Sequence, residues 1–211
     1  IQYYEDIGYT SKFPKYSIAY KFDEELTQTI LDDIFITIGR TGIVTYNAKL
    51  KMVLLKGTMV SAATLHNYNY IEQLGINIGD EVLIKKAGEI IPKVVSLSKK
   101  NSKGTFSKIL ICPYCSSKLL DTKTFNNQVC PNYNCPEINV KKIIHFTSKN
   151  AMNIDGLGEG IVRHFYNLGF ISKIQDIFTL YKLKNEIINE KGFGVKFFEN
   201  LMEGINNSYK A

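Results

Sequence analysis

The chain has 211 residues, 45% of them hydrophobic, and a formal net charge of +6. This apolar content is enough for packed cores and excludes global disorder, and no apolar run approaches the roughly 20 residues of a membrane-spanning helix. The positive charge favours an anionic partner, with nucleic acid first, although a basic surface that only keeps the protein in solution is an equal alternative on charge alone.

Residues 1–22 are rich in aromatic and basic side chains, and alternation at residues 17–21 predicts a strand. From residue 23 to residue 100, short runs of strand-forming side chains are separated by glycines, which is typical of a small all-β barrel. We expect strands at residues 27–38, 42–46, 52–55 and 81–85. Between them, the near-helical spacing of Ala62, Leu65 and Ile71 predicts a short helix at residues 61–74.

Arg40 lies between two glycines at a turn of the predicted barrel. An exposed guanidinium at such a turn can bind phosphate or enter a minor groove. The alternative is an ordinary ion pair with Asp32 or Asp33.

A second turn of the barrel carries two adjacent isoleucines, Ile90 and Ile91, in a frame of lysines. Apolar side chains in a basic frame can press against nucleic acid. Ordinary packing at a strand end is the alternative. The framing lysines are Lys85, Lys86 and Lys93.

All four cysteines lie in one window that follows a Lys-, Ser- and Asn-rich linker at residues 98–108. Two residues separate the first pair and four separate the second pair, in the order Cys112, Cys115, Cys130 and Cys135. Two such knuckles place four thiolates around one ion, so the spacing predicts a structural zinc site within residues 106–140. The alternative is two disulfides, which need an oxidising compartment, and no secretory leader is visible.

From residue 141 to residue 211 the pattern becomes helical, and one short motif occurs twice. In each copy an apolar residue lies between two glycines, just before an amphipathic segment, at Gly156 and Gly158 and again at Gly192 and Gly194. Such a turn lets the backbone approach a phosphate, and the amides that open the next helix face the anion. This is the arrangement of a helix-hairpin-helix DNA-binding element, which holds the backbone without reading bases. For each copy taken singly, a plain tight turn is the alternative.

The three histidines, His66, His145 and His164, fall on apolar helical faces or their edges, and we expect partly buried imidazoles with satisfied hydrogen bonds. Asp155 is expected to cap a helix or a turn rather than to act as a catalyst. No Ser-His-Asp order, phosphate loop or paired-carboxylate arrangement stands out.

Several segments occur in the order that one enzyme family uses. Residues 10–22, which end in Tyr20-Lys21-Phe22, resemble the last nucleotidyltransferase motif of bacterial-type NAD-dependent DNA ligases. The similarity continues through the cysteine window and over nearly the whole chain. The other matching segments are residues 39–45, 61–67, 79–82, 86–94, 145–146 and 151–158.

The resemblance implies a multi-domain architecture. Its parts are the end of an adenylation domain at residues 1–22, an all-β OB-fold barrel at residues 23–100, a four-cysteine zinc finger at residues 106–140 and part of an all-α helix-hairpin-helix domain at residues 141–211. The zinc finger would join the OB-fold to the helical domain.

The resemblance also implies roles for particular residues. Lys21 would meet the adenylate phosphate and support nucleotidyl transfer, for which lysine supplies a point cation. Arg40 and Thr41 would touch DNA beside a nick, and Ile90 and Ile91 would press into the minor groove.

The implied function is to seal nicks in duplex DNA through enzyme-adenylate and DNA-adenylate, in DNA replication and repair. The full-length enzyme would use NAD and Mg²⁺. In this family the nucleophile is the lysine of a Lys-x-Asp-Gly motif, whereas the sole Asp-Gly pair here is Asp155-Gly156. The chain opens with Ile rather than Met, and we expect it to be a fragment of a longer protein or a mature product. We expect that this chain alone cannot form ligase-adenylate.

Two functions stay open from the sequence. The first is the DNA-gripping part of such a ligase, and the second is a stand-alone, non-catalytic module that binds duplex DNA. Tyr20-Lys21-Phe22 favours the first, because a pure binding protein has no evident use for it. The expected partner is nicked duplex DNA, with a separate adenylation-domain chain if the enzyme is split. We expect a cytoplasmic monomer, associated with the nucleoid in a bacterium and not with a membrane.

Overall fold

The computed structural model describes residues 2–18, 25–87, 90–122 and 127–208. The strands in these ranges are β1 Thr27–Ile38, β2 Val44–Leu55, β3 Thr58–His66, β4 Glu81–Ala87, β5 Ile91–Lys99, β6 Leu120–Asp121 and β7 Gln128–Val129. The helices are α1 Gln2–Ile7, α2 Tyr68–Leu74, α3 Pro136–Thr147, α4 Glu159–Asn167, α5 Lys184–Asn189 and α6 Val195–Ser208, with a 3-10 helix at Ile174–Leu183. The strand predicted at residues 17–21 extends into residues 19–24, which lie outside the described residues.

The first five strands close into a barrel in the order β1-β2-β3-β5-β4. Neighbouring strands run antiparallel except β3 and β5, which are parallel where Thr64 pairs with Lys93. The strands enclose one core, because buried side chains alternate with more exposed ones, as at Ile34, Ile36 and Ile38 of β1. A closed five-stranded barrel with a helix between β3 and β4 is an OB-fold, so the predicted all-β barrel is confirmed.

The helix predicted at residues 61–74 is wrong in its first half. β3 runs to His66 and pairs with β2, and it buries Val60 and Leu65 against the barrel core. The helix α2 begins only after Asn67, whose side-chain oxygen accepts the backbone N–H of Tyr70 at 3.0 Å. Pairing with the preceding strand β2 overrode the local helical spacing, since strand formation depends on cross-strand neighbours.

The two strand runs predicted at residues 42–46 and 52–55 belong to one strand, β2, of 12 residues. In addition, β5 extends into residues that the sequence assigned to the start of a linker at 98–108. Both differences have the same cause. Polar side chains on the outward face of a barrel strand interrupt the apolar pattern without ending the strand.

The segments from α3 to α6 form a second, all-helical unit with its own core. In α6, Phe198, Leu201 and Ile205 are buried at spacings of three and four residues, which place them on one helical face. α3 reaches both cores, because Ile138 packs in the barrel cluster and Ile143 in the helical cluster. Within the described ranges, no helix has the length and apolar character needed to cross a membrane.

Candidate metal centre and nucleic-acid interface

The four cysteines converge at one point. Their Sγ atoms all lie within 4.8 Å of one another, with 3.9 Å between Cys112 and Cys135 and 3.5 Å between Cys115 and Cys130. All four are free thiols, and the roughly 2 Å of a disulfide bond is far shorter than these separations. Thiolates bound tetrahedrally at about 2.3 Å from zinc would stand about 3.8 Å apart. The cluster therefore has the dimensions of a four-thiolate metal site.

Hydrogen-bond donors surround the sulfur atoms. The backbone amides of Glu137 and Ile138, at the start of α3, bond to Cys135, and the amide of Asn132 bonds to Cys130. An N–H group that points at sulfur stabilises the thiolate, which is the form that binds a metal.

The thiols of the cluster differ in acidity. Hydrogen bonding with the side chain and backbone of Ser117 lowers the pKa of Cys115 to about 6. Burial raises the pKa of Cys130 to about 12 and also raises that of Cys135. Four thiolates cannot occupy so small a volume unless a cation balances them, and a divalent metal would do so by displacing their protons. The donor set thus fits zinc.

The cysteine centre is built onto the barrel through the turn between β1 and β2. The backbone N–H of Cys130 donates to the carbonyl of Gly42 at 2.9 Å, and Ile43 forms an antiparallel bridge with Val129. A Cβ atom on Gly42 would lie 2.8 Å from the carbonyl oxygen of Cys130, so a larger residue could not keep this approach. Cys130 belongs to the same buried cluster as the barrel core.

A buried tyrosine makes a second connection between the barrel and the cysteine window. The hydroxyl of Tyr46 donates to Oε1 of Gln128 at 2.6 Å and accepts the backbone N–H of Ile109 at 3.1 Å. The side-chain amide of Gln128 then donates to the Ile109 carbonyl at 2.9 Å. Burial raises the pKa of Tyr46 to about 12, so the phenol keeps its proton and can donate. Nothing in the local sequence around Tyr46 indicated this network.

Arg40 and Thr41 stand exposed at the tip of the turn between β1 and β2. No ion pair between described residues includes Arg40, so the alternative pairing with Asp32 or Asp33 is not observed. Asp33 instead accepts the backbone N–H of Ile34 at 2.8 Å. The guanidinium of Arg40 is therefore accessible to an anionic ligand.

The two isoleucines of the second turn are open to solvent. Ile90 is 80% exposed and Ile91 is 59% exposed, so packing at a strand end does not account for them. Ile91 opens β5, opposite Ala87 at the end of β4. The apolar pair is thus presented at the tip of the β4–β5 connection.

The lysine frame predicted around these isoleucines is only partly a surface feature. Lys86 is buried, and its Nζ donates to the hydroxyl of Thr58 at 2.9 Å. Nζ of Lys93 lies 4.9 Å from the centre of the Tyr70 ring, a cation–π distance. Lys86 and Lys93 therefore make contacts within the barrel.

On its other side the cysteine centre connects to the helical unit. Glu137, two residues after Cys135, is buried and accepts two hydrogen bonds from Arg163 of α4, at 2.8 and 3.0 Å. Arg163 also donates to Glu159 at 3.0 Å, and Lys141 bonds to the same carboxylate at 2.9 Å. The chain has two arginines, and they occupy different environments. Arg163 joins α3 to α4, whereas Arg40 faces outwards.

The two glycine turns have the same backbone geometry. Gly156 and Gly192 both have positive φ, at 87° and 90°. Gly158 and Gly194 each precede a helix, and their carbonyls accept the N–H four residues on, at 3.0 and 3.1 Å. The apolar residue between each pair of glycines packs in the helical core. The α4 helix has Gly158 as its N-cap, so Asp155 is not the cap of that helix.

The first turn packs directly against α6, the helix that follows the second turn. A Cβ atom on Gly204 of α6 would lie 2.3 Å from the Asp155 carbonyl oxygen, so the helix and the turn touch through their backbones. His164 of α4 stacks on Phe193 with ring centres 5.4 Å apart, and its Nε2 lies 3.3 Å from the Glu190 carboxylate. The two turns therefore belong to one packed unit.

The histidine predictions are wrong in different ways. His164 is partly buried as predicted, but its Nε2 has no hydrogen bond to a described residue. His66 and His145 are exposed rather than partly buried. His66 adopts a positive φ of 57° at the end of β3, where strand geometry and not a helix positions it. Lys21 lies in residues 19–24, outside the described residues, so its role stays a prediction.

The structure places this chain in a class of proteins that combine an OB-fold barrel, a four-cysteine candidate metal centre and a helical unit. Residues 28–105 match the family described as NAD-dependent DNA ligase OB-fold domain. The OB-fold of this chain belongs to the NAD-dependent DNA ligase family, and the resemblance seen in the sequence is confirmed.

Curated relatives extend the match over the whole chain. The chain is 48% identical over 211 residues, its full length, to a protein named DNA ligase from Metamycoplasma arthritidis, of which it covers 32%. It is 44% identical to one from Ureaplasma parvum, again over the full chain and 32% of the relative. A third, from Mycoplasmopsis pulmonis, is 47% identical over 90% of the chain and 28% of the relative. The chain thus spans about a third of the length of these relatives.

Proposed function

We propose that this chain is the DNA-gripping part of an NAD-dependent DNA ligase that seals nicks in duplex DNA. The OB-fold barrel and a helix-hairpin-helix unit at residues 141–211 would hold the duplex from two sides. Zinc on the four cysteines would fix their relative geometry without taking part in bond making. NAD and Mg²⁺ would serve the adenylation steps, and Lys21 would assist at the phosphate.

The observation that carries the proposal is the position of the cysteine centre. Cys130 hydrogen bonds to Gly42, beside the exposed Arg40–Thr41 turn. Cys135 directly precedes α3, whose Glu137 binds Arg163 of α4. The four-cysteine cluster is therefore connected both to the exposed Arg40–Thr41 turn and to α4, the helix that begins at the first glycine turn.

The DNA contacts would be of two kinds. Arg40, Thr41 and the amides at the glycine turns would bind phosphates, which position the duplex without reading its sequence. Ile90 and Ile91 would lie against sugar and base edges in the minor groove, where exposed apolar side chains gain by losing water. Nick sealing would follow the family's route through enzyme-adenylate and DNA-adenylate.

The test is the affinity for a fluorescent nicked duplex, measured by anisotropy at several salt concentrations. Phosphate contacts release counterions, so we expect the logarithm of the affinity to fall with the logarithm of salt at a slope steeper than about −3. An affinity that does not change with salt concentration would contradict DNA binding through phosphate contacts.

Two glycine variants distinguish a loss of DNA contacts at a glycine turn from a general loss of folding stability. Gly192 and Gly169 both have positive φ, at 90° and 76°, and an added Cβ meets nothing within 4 Å at either. Alanine at either position should cost about 1–2 kcal/mol of folding stability through its backbone conformation. Only Gly192→Ala should weaken DNA binding, by roughly fivefold, because only that turn would face phosphate. Equal DNA affinities of the two variants would remove the second turn from the interface.

The second function left open by the sequence is a stand-alone module that binds duplex DNA. The 211 residues contain no Lys-x-Asp-Gly motif, which holds the nucleophile in this family. We expect no covalent label on the chain after incubation with labelled NAD and Mg²⁺. Restored nick sealing on addition of a separate adenylation-domain chain would favour the ligase part over the stand-alone module, and label on this chain alone would show that it carries a nucleophile.

A further inference from the structure

A cleft of about 540 Å³ lies where the Arg40–Thr41 turn of the barrel faces the second half of α3. Lys142 and His145 of α3 reach the same cleft from the helical unit. They are three residues apart, so they project from one face of the helix. Basic side chains from two separate parts of the molecule thus meet at one opening.

The charged lining of this cleft is of one sign. Its basic residues are Arg40, Lys142 and His145, and none of the described carboxylates lines it. Both Arg40 and Lys142 are exposed, and neither takes part in an ion pair with another described residue. The neighbouring Lys141 is different, because it is bound to Glu159 at 2.9 Å. The cleft therefore offers hydrogen-bond donors and uncompensated positive charge.

Two other clefts show that this is not a general property of the surface. The cleft between the first glycine turn and α6 is lined by Asp155 and Glu203. The one beside α4 contains Arg163, but Glu137 lies in the same lining and neutralises it. Neither lining has the unpaired basic side chains of the basic cleft.

The floor of the basic cleft is apolar. Phe146, Met152 and Ile174 line it, and each is only partly buried. A simple inorganic anion would leave these side chains in contact with water. The sugar–phosphate backbone of a nucleic acid matches both features, because charged phosphates alternate with the less polar faces of deoxyribose.

We propose that this cleft binds the sugar–phosphate backbone of duplex DNA, with Lys142 and His145 as phosphate contacts alongside Arg40. The inference rests on the proposed DNA-binding function and adds α3 to its surface. The contact surface would continue from the barrel across α3 towards Met152, which precedes the first glycine turn. A neutral imidazole still offers one N–H donor, so His145 can contribute whether or not it is charged.

The test compares Lys142→Gln with Lys182→Gln in nicked-duplex binding over a salt series. Lys182 is exposed and lies outside the cleft, so its variant controls for the loss of one positive charge. We expect Lys142→Gln to weaken binding roughly 3- to 10-fold at about 0.1 M salt and to make the salt slope shallower by about 1, equally for different duplex sequences. His145→Gln should weaken binding roughly twofold to threefold.

Lysine acetylation of the unmodified protein gives a readout that does not depend on how variants fold. Bound duplex should protect Lys142, and not Lys182, from an amine-reactive reagent, as followed by mass spectrometry. The protein could bind DNA in a salt-dependent way while the two variants have equal effects and Lys142 is not protected. That result would overturn the proposal that the cleft binds DNA, but it would leave the proposed DNA-binding function intact. Absence of any DNA binding by the unmodified protein would instead overturn the proposed function, and the cleft proposal with it.

Discussion

Asp80 is completely buried in the barrel, yet it is a charged side chain. Lys100 donates to it at 2.8 Å, and the backbone amides of Asn77, Asn101 and Ser102 donate at 2.8–2.9 Å. Burial alone would raise the pKa of Asp80, but the Lys100 ammonium and the hydrogen bonds outweigh it and lower the pKa below its usual range. Its position explains why the predicted linker after β5 is fixed to the barrel.

Replacing Asp80 with Asn should lower the free energy of unfolding at pH 7 by about 3 kcal/mol, because Lys100 loses its partner and the amide turns a donor towards backbone N–H groups. The folded carboxyl has a depressed pKa, so its contribution is fully present above the unfolded pKa of about 4 and is lost as the pH falls below that value. Urea unfolding at several pH values should therefore show the two proteins converging in acid.

The matched control for this variant is Asp121→Asn. Asp121 is exposed and bonds to Lys108 at 2.6 Å. A surface pair of this kind contributes about 0–1 kcal/mol, so the control should stay within about 1 kcal/mol of the unmodified protein. If both variants lost equally little stability, the buried carboxylate would not be holding the segment after β5.

A substitution at Gly204 would test the backbone contact between α6 and the first glycine turn. An alanine Cβ would lie 2.3 Å from the Asp155 carbonyl oxygen, so Gly204→Ala should force the helix away from the turn. We expect a loss of about 1–3 kcal/mol in thermal or urea unfolding. Gly160→Ala is the control, because a Cβ there meets nothing within 4 Å in α4. Alanine at that helical position should be neutral or stabilising by up to about 1 kcal/mol, and equal losses in the two variants would refute the contact.

At the scale of elements, the turn between β1 and β2 joins the cysteine centre to the proposed DNA-binding surface. Its tip carries Arg40 and Thr41, and its end bonds to Cys130 through Gly42. Displacement of the turn should therefore disturb the metal centre and the DNA surface together. α3 has a comparable double role, since Ile138 and Ile143 pack in different cores.

Gly42→Ala should expose this coupling. The residue has a φ of +84°, and its added Cβ would approach the Cys130 carbonyl to 2.8 Å. We expect faster loss of bound zinc to a chelating dye and an approximately fivefold weaker affinity for nicked duplex, because the Arg40 turn must shift away from the cysteine centre.

Gly57→Ala provides the comparison for that variant. Gly57 has a similar φ of +73°, in the turn between β2 and β3, but an added Cβ meets nothing within 4 Å. It should cost about 1–2 kcal/mol of stability from backbone strain and leave zinc release unchanged. Identical zinc release from the two variants would mean that the turn and the metal centre are independent.

For the whole molecule, the cysteine centre is part of the barrel rather than a separate module. Cys112, Cys130 and Cys135 are buried in the same cluster as the barrel core. Tyr46 links that core to Gln128 and Ile109 of the cysteine window. Loss of the metal should therefore destabilise the OB-fold as well as the joint to the helical unit.

Removing zinc with a strong chelator should lower the Tm of the purified protein by at least about 10 °C and weaken duplex binding, since metal affinity contributes directly to folding. Circular dichroism and anisotropy would measure the two effects, and added zinc should reverse both. An unchanged Tm, with zinc shown to be absent, would refute a structural role. Sub-stoichiometric zinc in the purified protein, together with oxidised thiols, would favour the disulfide alternative.

The sequence by itself was sufficient for features that depend on short-range pattern. Short runs of strand-forming side chains separated by glycines predicted β1, β2 and β4 of the five barrel strands. The spacing of the four cysteines predicted a cluster that the structure brings within 4.8 Å. The paired glycines predicted two turns with matching φ values. Each of these signals lies within about twenty residues, so local geometry carries it.

Only the tertiary structure decided which of these features act together. Tyr46 and Gln128 bond across 82 residues. Of the two arginines, Arg163 joins α3 to α4 through Glu137, whereas Arg40 is exposed. The basic cleft likewise combines a barrel turn with two residues of α3. Such contacts depend on how distant segments pack, and packing is set by the shape and burial of the whole chain rather than by any local period.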